Sequence, residues 1–349
     1  MQSQSCGGFT IIELLVSLVI FMIVTGAIWG LLRVGTQSRS TLNQQVSMAK
    51  TVRIALNLLG RDTYNAGLGY PLRNTVILPD NRISALLGVP VDFDTTRDTI
   101  APIIAGNNIT LNTLNLTPNT KTDQVTFLFK DTTFNLVGSG SSAAPQPLNI
   151  NAATTTSGGI DEIVPISGSN ASCRVNDIYL ITGNTGSTIG LATALSGSNK
   201  VQFSNGDVLG FNQTGTTGPL RSITTPASLQ RILMVTYFVT SDGILTRREF
   251  ANTTPVVPAV AFIDEPLVYN VENFQIQYIM DDGSVSDDPS AGPDGRAGTN
   301  DDTPTNLAAV RQVRFTVNVR SIELNSAGQP YRDSMTSVFS TRNLGYDAN

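Results

Sequence analysis

From Phe9 to Leu32 the chain is apolar at almost every position; its pattern then changes to a spacing of three and four, and far beyond that to an alternation of two. The first stretch carries one charge, Glu13, and three small polar residues, Thr10, Ser17 and Thr25. Its roughly 24 residues, at ~1.5 Å each, span about 36 Å, enough to cross a ~30 Å hydrocarbon core with some tilt. A transmembrane helix is expected here. After Arg33, the residues Leu42, Val46, Ala49, Val52, Leu56 and Leu59 form one stripe, with Gln45, Lys50, Arg53 and Asn57 mostly elsewhere. The helix should therefore continue to about Asn65, its stripe lying on the chain's own globular domain rather than in a coiled-coil stalk. Gly67 and Gly69 supply the stop.

Downstream the pattern is that of strands. Residues 122–131, 175–183 and 199–206 are short runs of β-branched and aromatic residues bounded by turn formers. In 231–250, Asp242 and Gly243 separate two apolar runs and suit a type I′ hairpin. Segment 273–280 alternates, placing Phe274, Ile276, Tyr278 and Met280 on one face. Segment 308–321 does likewise, with Val313, Phe315, Val317 and Val319 inward and Arg314 and Arg320 outward. Segment 138–159 is small, polar and turn-forming, and is expected to be a surface loop or insertion. Residues 65–120 mix Gly, Pro and Asn with short apolar runs such as Ile103, Ile104 and Ile109, and specify no element clearly.

Composition narrows the function classes. Of 349 residues only 14% are charged, and the net charge is -5. Nothing resembles the basic footprint of a nucleic-acid binder. There is no histidine, so catalytic triads and metal sites that need imidazole are excluded. The lysines, Lys50, Lys121, Lys130 and Lys200, stand near no nucleophile motif, and no glycine-rich phosphate cradle follows a strand. A non-enzymatic protein is expected. Cys6 and Cys173 are the only cysteines.

Glu13 is the feature that needs a cause, because a carboxylate inside a membrane span costs ~2.5–3.5 kcal/mol at the centre and less near an end. An ordinary secretory signal does not supply one: the first eight residues hold no Lys or Arg, and Gly7 and Gly8 precede the oily run instead of following it. Cleavage between Gly8 and Phe9 would create an α-amino cation close to Glu13, on its own or a neighbouring helix.

The stretch GFTIIELLVSLVIF resembles the class III signal of type IV prepilins. That resemblance implies cutting between Gly8 and Phe9 by a prepilin peptidase on the cytoplasmic side, methylation of Phe9, and a role for Glu13 in filament assembly. The uncharged leader departs from the usual pattern, since prepilin leaders carry Lys or Arg. Further segments resemble the PilW-like minor pilins and the J-type pseudopilins of type II secretion: RDTYNAGLGY at 61–70, VTYFVTSDGILTRREF at 235–250, NFQIQYIMDDG, VRFTVNVRS and FSTRNL at 339–344. The implied fold is α+β and pilin-like, a long N-terminal helix packed on a largely antiparallel β-sheet domain. The implied organisation is a leader (1–8), a membrane or filament-core half-helix (9–32), an amphipathic half-helix (33–66) and a β-rich globular domain (67–349). The implied partners are prepilin peptidase, other major and minor pilins, the inner-membrane assembly platform and, before assembly, membrane lipid. The expected location is the bacterial inner membrane and then a pilus or pseudopilus at the cell surface. The implied role is structural, in priming or tip assembly; a secretion pseudopilin and a signal-anchored adhesin are the alternatives.

One other segment has chemical potential. The acidic insert at 281–302 offers Asp281, Asp282, Asp287, Asp288, Asp294, Asp301 and Asp302 as hard oxygen ligands, and Gly283, Gly295 and Gly298 for tight turns. Calcium takes 6–8 such oxygens, but the D-x-D-x-D-G order of an EF-hand loop is absent. A solvated hairpin loop is the expectation, and a calcium site the alternative.

Overall fold

A computed structural model describes residues 10–71, 76–88, 97–114, 120–138, 143–150, 159–213, 218–250, 262–289, 307, 309–324 and 328–344. The chain divides into two compact units, Met1–Lys50 with Ser321–Tyr331, and Thr51–Arg320 with Arg332–Asn349.

The long helix α1 (Ile11–Asn65) runs 55 residues without interruption, about 80 Å at the usual rise. In the first unit no side chain of the helix from Thr10 to Lys50 is buried. The expected stripe is therefore shorter than its spacing suggested. Leu42 and Val46 are 57% and 67% exposed, and burial begins only at Val52, continuing through Ala55, Leu56 and Leu59. Periodicity identifies an apolar face but not what covers it, and among the described residues of the first unit Leu42 and Val46 stand exposed.

In the second unit α1 ends where expected. Gly67 and Gly69 adopt positive φ (+81° and +68°), which L-residues with a Cβ rarely tolerate. The Gly67 N–H donates to the Leu128 carbonyl at 2.9 Å and the Lys130 N–H to the Leu68 carbonyl at 2.8 Å, so the helix stop is stitched to a strand. There follow β1 (Val76–Ile77), the short helix α2 (Arg82–Leu87), β2 (Thr99–Ile100), β3 (Ile103–Leu111), β4 (Lys121–Lys130), β5 (Leu136–Val137), β6 (Ala144–Pro145) and β7 (Leu148–Ile150). Next come β8 (Ile163–Pro165), β9 (Ile178–Gly183), β10 (Gly186–Leu191), β11 (Ala194–Ser196), β12 (Lys200–Gln202) and β13 (Ala227–Val239). The last are β14 (Leu245–Phe250), β15 (Phe262–Val268), β16 (Val271–Met280), β17 (Val285–Ser286), β18 (Val310–Leu324) and β19 (Pro330–Ser340).

Strand β13 is the hub of the largest sheet. Its first half pairs with β7 and β9, its second half with β4 and β14, all antiparallel. Among the described strands only the short β1 pairs in parallel, with β10. Because the strand has neighbours along its whole length, its sequence is nearly continuously apolar, and Leu229, Met234, Val235, Tyr237 and Val239 are fully buried. One core lies under Ile104, Leu128, Leu180, Ile232 and Met234, a second under Phe134, Leu148, Tyr179, Phe203 and Ile223. Segment 138–159 is thus more than a surface loop. Its β7 adds to β13, burying Leu148 and Ile150, a placement set by tertiary pairing that the segment's polar composition conceals.

A four-stranded sheet, in the order β17, β16, β18, β19, completes the unit. Phe274 lies opposite Val317, Ile276 opposite Phe315 and Tyr278 opposite Val313, and all six are buried as the alternation predicts. Met280, expected on the same face, is only half-buried because the register shifts there. Phe274 and Phe315 stack with ring centroids 6.2 Å apart, and Phe339 of β19 follows at 6.1 Å. On α1, a Cβ at Gly60 would collide with the Phe339 ring. The β13–β14 connection also differs from expectation. Gly243 alone has positive φ (+75°), and its N–H donates to the Thr240 carbonyl at 2.9 Å. Ser241 and Asp242 are then the central turn residues with Gly243 as a left-handed bulge, a longer loop than the two-residue type I′ turn.

Candidate processing and assembly site

Gly8 and Phe9, the expected processing pair, lie outside the described residues. The structure begins at Thr10, and there it supplies Glu13 with a partner from its own chain. The Glu13 Oε2 accepts from both the Thr10 N–H and the Thr10 Oγ1, each at 2.9 Å, while Thr10 Oγ1 receives the Glu13 N–H at 3.4 Å. This is a capping box, Thr at the N-cap and Glu at the third helical position, satisfying N–H groups that a helix start otherwise leaves bare. A carboxylate near the start of the span therefore has a local cause. Among the described residues only Oε2 takes part in these bonds. The Thr-x-x-Glu spacing was readable in the sequence as a cap, and it identifies Thr10 as a second residue of this site.

Beyond the cap, the helix presents an apolar surface that no described residue of the first unit covers. Its most apolar window has a mean hydropathy of 2.6 and none of it is buried. Gly26 and Gly30 have open space where a side chain would stand, so they make room along the helix for a close neighbour. Trp29 is 72% exposed. Leaving such a surface in water is unfavourable by about 25 cal/mol per Å², so lipid or other chains must surround it.

The acidic insert is described only as far as residue 289, and Asp294, Asp301 and Asp302 lie outside the described residues. Asp281 and Asp282 occupy the β16–β17 turn, where Gly283 (φ +84°) donates its N–H to the Met280 carbonyl. Asp282 Oδ1 accepts from the Ser284 N–H at 2.8 Å, Asp281 faces Arg311 at 3.7 Å, and Asp287 accepts from the Gln277 amide at 3.1 Å. The Asp288 N–H donates to Ser286 Oγ. These four are spread along a hairpin, and among the described residues no group of three or more acidic, cysteine or histidine side chains is placed to hold a metal. Behind the hairpin stands a carboxylate that the sequence reading missed. Asp123 of β4 is buried, accepting from the Asn108 N–H at 2.9 Å and the Ile276 N–H at 2.7 Å. Burial, aided by the charges of Asp287 and Asp288, pushes its pKa up to about 6.

At the other end of α1, in the second unit, sits a buried ionic cluster. Asp62 is 1% exposed. Its Oδ2 accepts from the Tyr237 hydroxyl at 2.7 Å and from Arg247 Nε at 3.2 Å, and its Oδ1 from Arg61 Nε at 3.0 Å. Burial works against the charged guanidinium of Arg247, but the Asp62 carboxylate outweighs it and holds Arg247 above its usual range. Burial, with the Asp62 charge, also raises the Tyr237 hydroxyl. A second cluster joins Arg231 of β13 to Asp131 at 2.6 Å and Asp177 at 2.9 Å. Both clusters are fully paired and hold elements together.

Residues 3–29 match the family described as Prokaryotic N-terminal methylation motif. No curated protein and no solved structure matches the chain at a significant level. The chain thus bears a type IV pilin-like N-methylation signal, which leads into a long apolar helix and then a largely antiparallel β-rich domain. Such a signal implies prepilin peptidase processing and assembly with other pilins, is consistent with membrane anchoring and surface display, and points to a structural, non-enzymatic role of the pilin or pseudopilin kind.

Proposed function

We propose that this chain is a minor pilin of the PilW-like kind, held in the inner membrane by Phe9–Leu32, cut between Gly8 and Phe9, methylated at Phe9, and then built into a type IV pilus through its apolar half-helix, in a priming or tip complex. The observation that carries this reading is the methylation motif on a helix whose membrane-length half buries none of its side chains. The two segments taken as PilW-like, 61–70 and 235–250, meet through Asp62, Tyr237 and Arg247, which supports reading them as parts of one design. In the assembled state the Glu13 carboxylate receives the methylated amine of a neighbouring subunit.

The decisive experiment is intact mass and N-terminal sequence of the protein from native membranes, with and without the prepilin peptidase. A methylated Phe9 start that depends on the peptidase is expected. A retained Met1 despite active peptidase would make the chain a signal-anchored surface protein instead. Loss of secretion rather than of pili on deletion of the gene would identify a J-type pseudopilin.

A further inference from the structure

The four-stranded sheet of the second unit carries opposite charge at its two edges. At one edge is the β16–β17 hairpin, where Asp281, Asp282, Val285 and Asp287 are all exposed. At the other is β19, whose Phe339 ring occupies the space beside Gly60 of α1. On this part of α1 the exposed residues are Arg53, Ile54, Asn57, Arg61 and Tyr64, while Asp62, the one acid between Thr51 and Asn65, is buried. Arg61 gives an N–H to Asp62, yet its side chain stays 59% exposed. Arg342, just past β19, lies over the Tyr64 ring at 5.4 Å from the centroid and adds a third cation to the same face.

The two edges match in spacing as well as in sign. Arg53 and Arg61 stand about 12 Å apart along the helix. On the hairpin, Asp287 bonds to the Gln277 amide, and Asp281 follows Gln277 by four residues, so the two acids are separated by ~13 Å at the strand rise. Between them Val285, paired with Ile279, is 51% exposed, and Ile54 beside Arg53 is 60% exposed. The order β17, β16, β18, β19 sets the edges three strand spacings apart, about 14 Å. One copy cannot close this contact on itself, but a second copy can.

We propose that the acidic β16–β17 hairpin of one copy docks on the α1 face bounded by Arg53 and Arg61 of the next. The contact joins two different surfaces, so every added copy brings a fresh hairpin and a fresh helix face, and copies extend in a row instead of closing into a pair. It uses the second unit alone and does not depend on where the chain is cut. Exposed charges bind weakly by themselves, so the contact gains from copies already held close together in a membrane or a filament.

The test mixes two tagged forms of the full chain, both with Cys6→Ser, in phosphatidylcholine vesicles. One carries Asn57→Cys and the other Val285→Cys, and a short bismaleimide links them; Cys173 is buried, with its thiol pushed up to about 11, and stays unlabelled. A 57–285 product should exceed 57–57 and 285–285. Its yield should fall about tenfold when the first copy also carries Arg53→Glu and Arg61→Glu, and return when the second carries Asp282→Lys and Asp287→Lys. In the pair without charge reversal, about 1 M NaCl, where the Debye length is ~3 Å, should cause a similar fall. Absence of the 57–285 product overturns the docking, and an excess of 57–57 replaces it with a symmetric helix contact. A 57–285 product indifferent to salt and to charge reversal overturns the electrostatic assignment. A salt-sensitive product that the swapped copies fail to restore, although each still melts cooperatively, overturns the pairing of these particular residues.

Discussion

The hydroxyl of Tyr237 donates to the Asp62 carboxylate at 2.7 Å, joining the last full turn of α1 to β13. The strand that pairs with β4, β7, β9 and β14 is thereby fixed to the end of the helix, and Arg247, on the adjacent β14, closes the cluster from the side.

Removing one member of the cluster should cost more than the cluster is worth. Asp62→Ala leaves the Arg247 guanidinium, 11% exposed, without its main counter-charge, a change that costs about 3–5 kcal/mol at buried pairs. Tyr237→Phe removes one hydrogen bond to a charged group, about 1.5–3 kcal/mol. Replacing Asp62 and Arg247 together by apolar residues should recover much of the loss. Thermal melts of the full chain in detergent give this ranking directly; equal, small effects of all three would show that the cluster carries no load.

Gly60 tests the packing beside it. Its missing Cβ leaves room for the Phe339 ring, so Gly60→Ala should destabilise by about 1–3 kcal/mol through overpacking, despite the better helix propensity of alanine. Adding Phe339→Leu should relieve part of that. A Gly60→Ala chain that melts at or above the parent temperature would mean the ring moves aside freely.

How much could be read from residues alone followed from the physics of each segment. The helix and its end were legible because apolar continuity and two glycines act locally. The alternation of 273–280 and 308–321 was legible because one face of each strand is buried and the other is not. Strand β7 was not, because Leu148 and Ile150 are buried only through pairing with a strand some eighty residues later. The turn at Asp242–Gly243 was misread for a related reason, since the dipeptide permits the two-residue turn but the flanking register selects the longer one. At the N-terminus, Glu13 was singled out while its cap, Thr10, was passed over, though the spacing was in view. Asp123 gave no signal at all, because its bonds come from Asn108 and Ile276, remote in sequence.

Calcium binding at the acidic insert is a separate matter from its charge. Asp281, Asp282 and Asp287 accept local bonds or face Arg311, and an ion would have to replace these. We expect calcium at about 1 mM, a level that suits weak extracellular sites, to leave the melting temperature of the full chain unchanged. A rise that disappears in Asp294→Asn, Asp301→Asn and Asp302→Asn would assign an ion to the later part of the insert.

Asp123 gives the fold a pH dependence with a definite sign. Its folded pKa of about 6 lies above the unfolded value near 3.8, so the folded state holds the proton more tightly. Below about pH 4 both states are protonated and the group is neutral to stability; as pH rises toward 6 the unfolded state gains by ionising first, and stability falls. The full loss is about 3 kcal/mol, from ~1.36 kcal/mol per pKa unit. Asp177 and Asp207, both raised chiefly by burial, act in the same direction. Asp131 acts oppositely: the Thr133 hydroxyl and N–H and the Arg231 charge overcome its burial and lower it, so its contribution is lost only at more acidic pH. Melting temperature should therefore rise as pH is lowered from 7 to 5. In Asp123→Asn, which cannot ionise, that rise should be smaller, although one of the two backbone N–H groups loses its acceptor and the variant is less stable than the parent at pH 5. Equal pH slopes in parent and variant would show that Asp123 is already ionised at pH 5 in the folded chain.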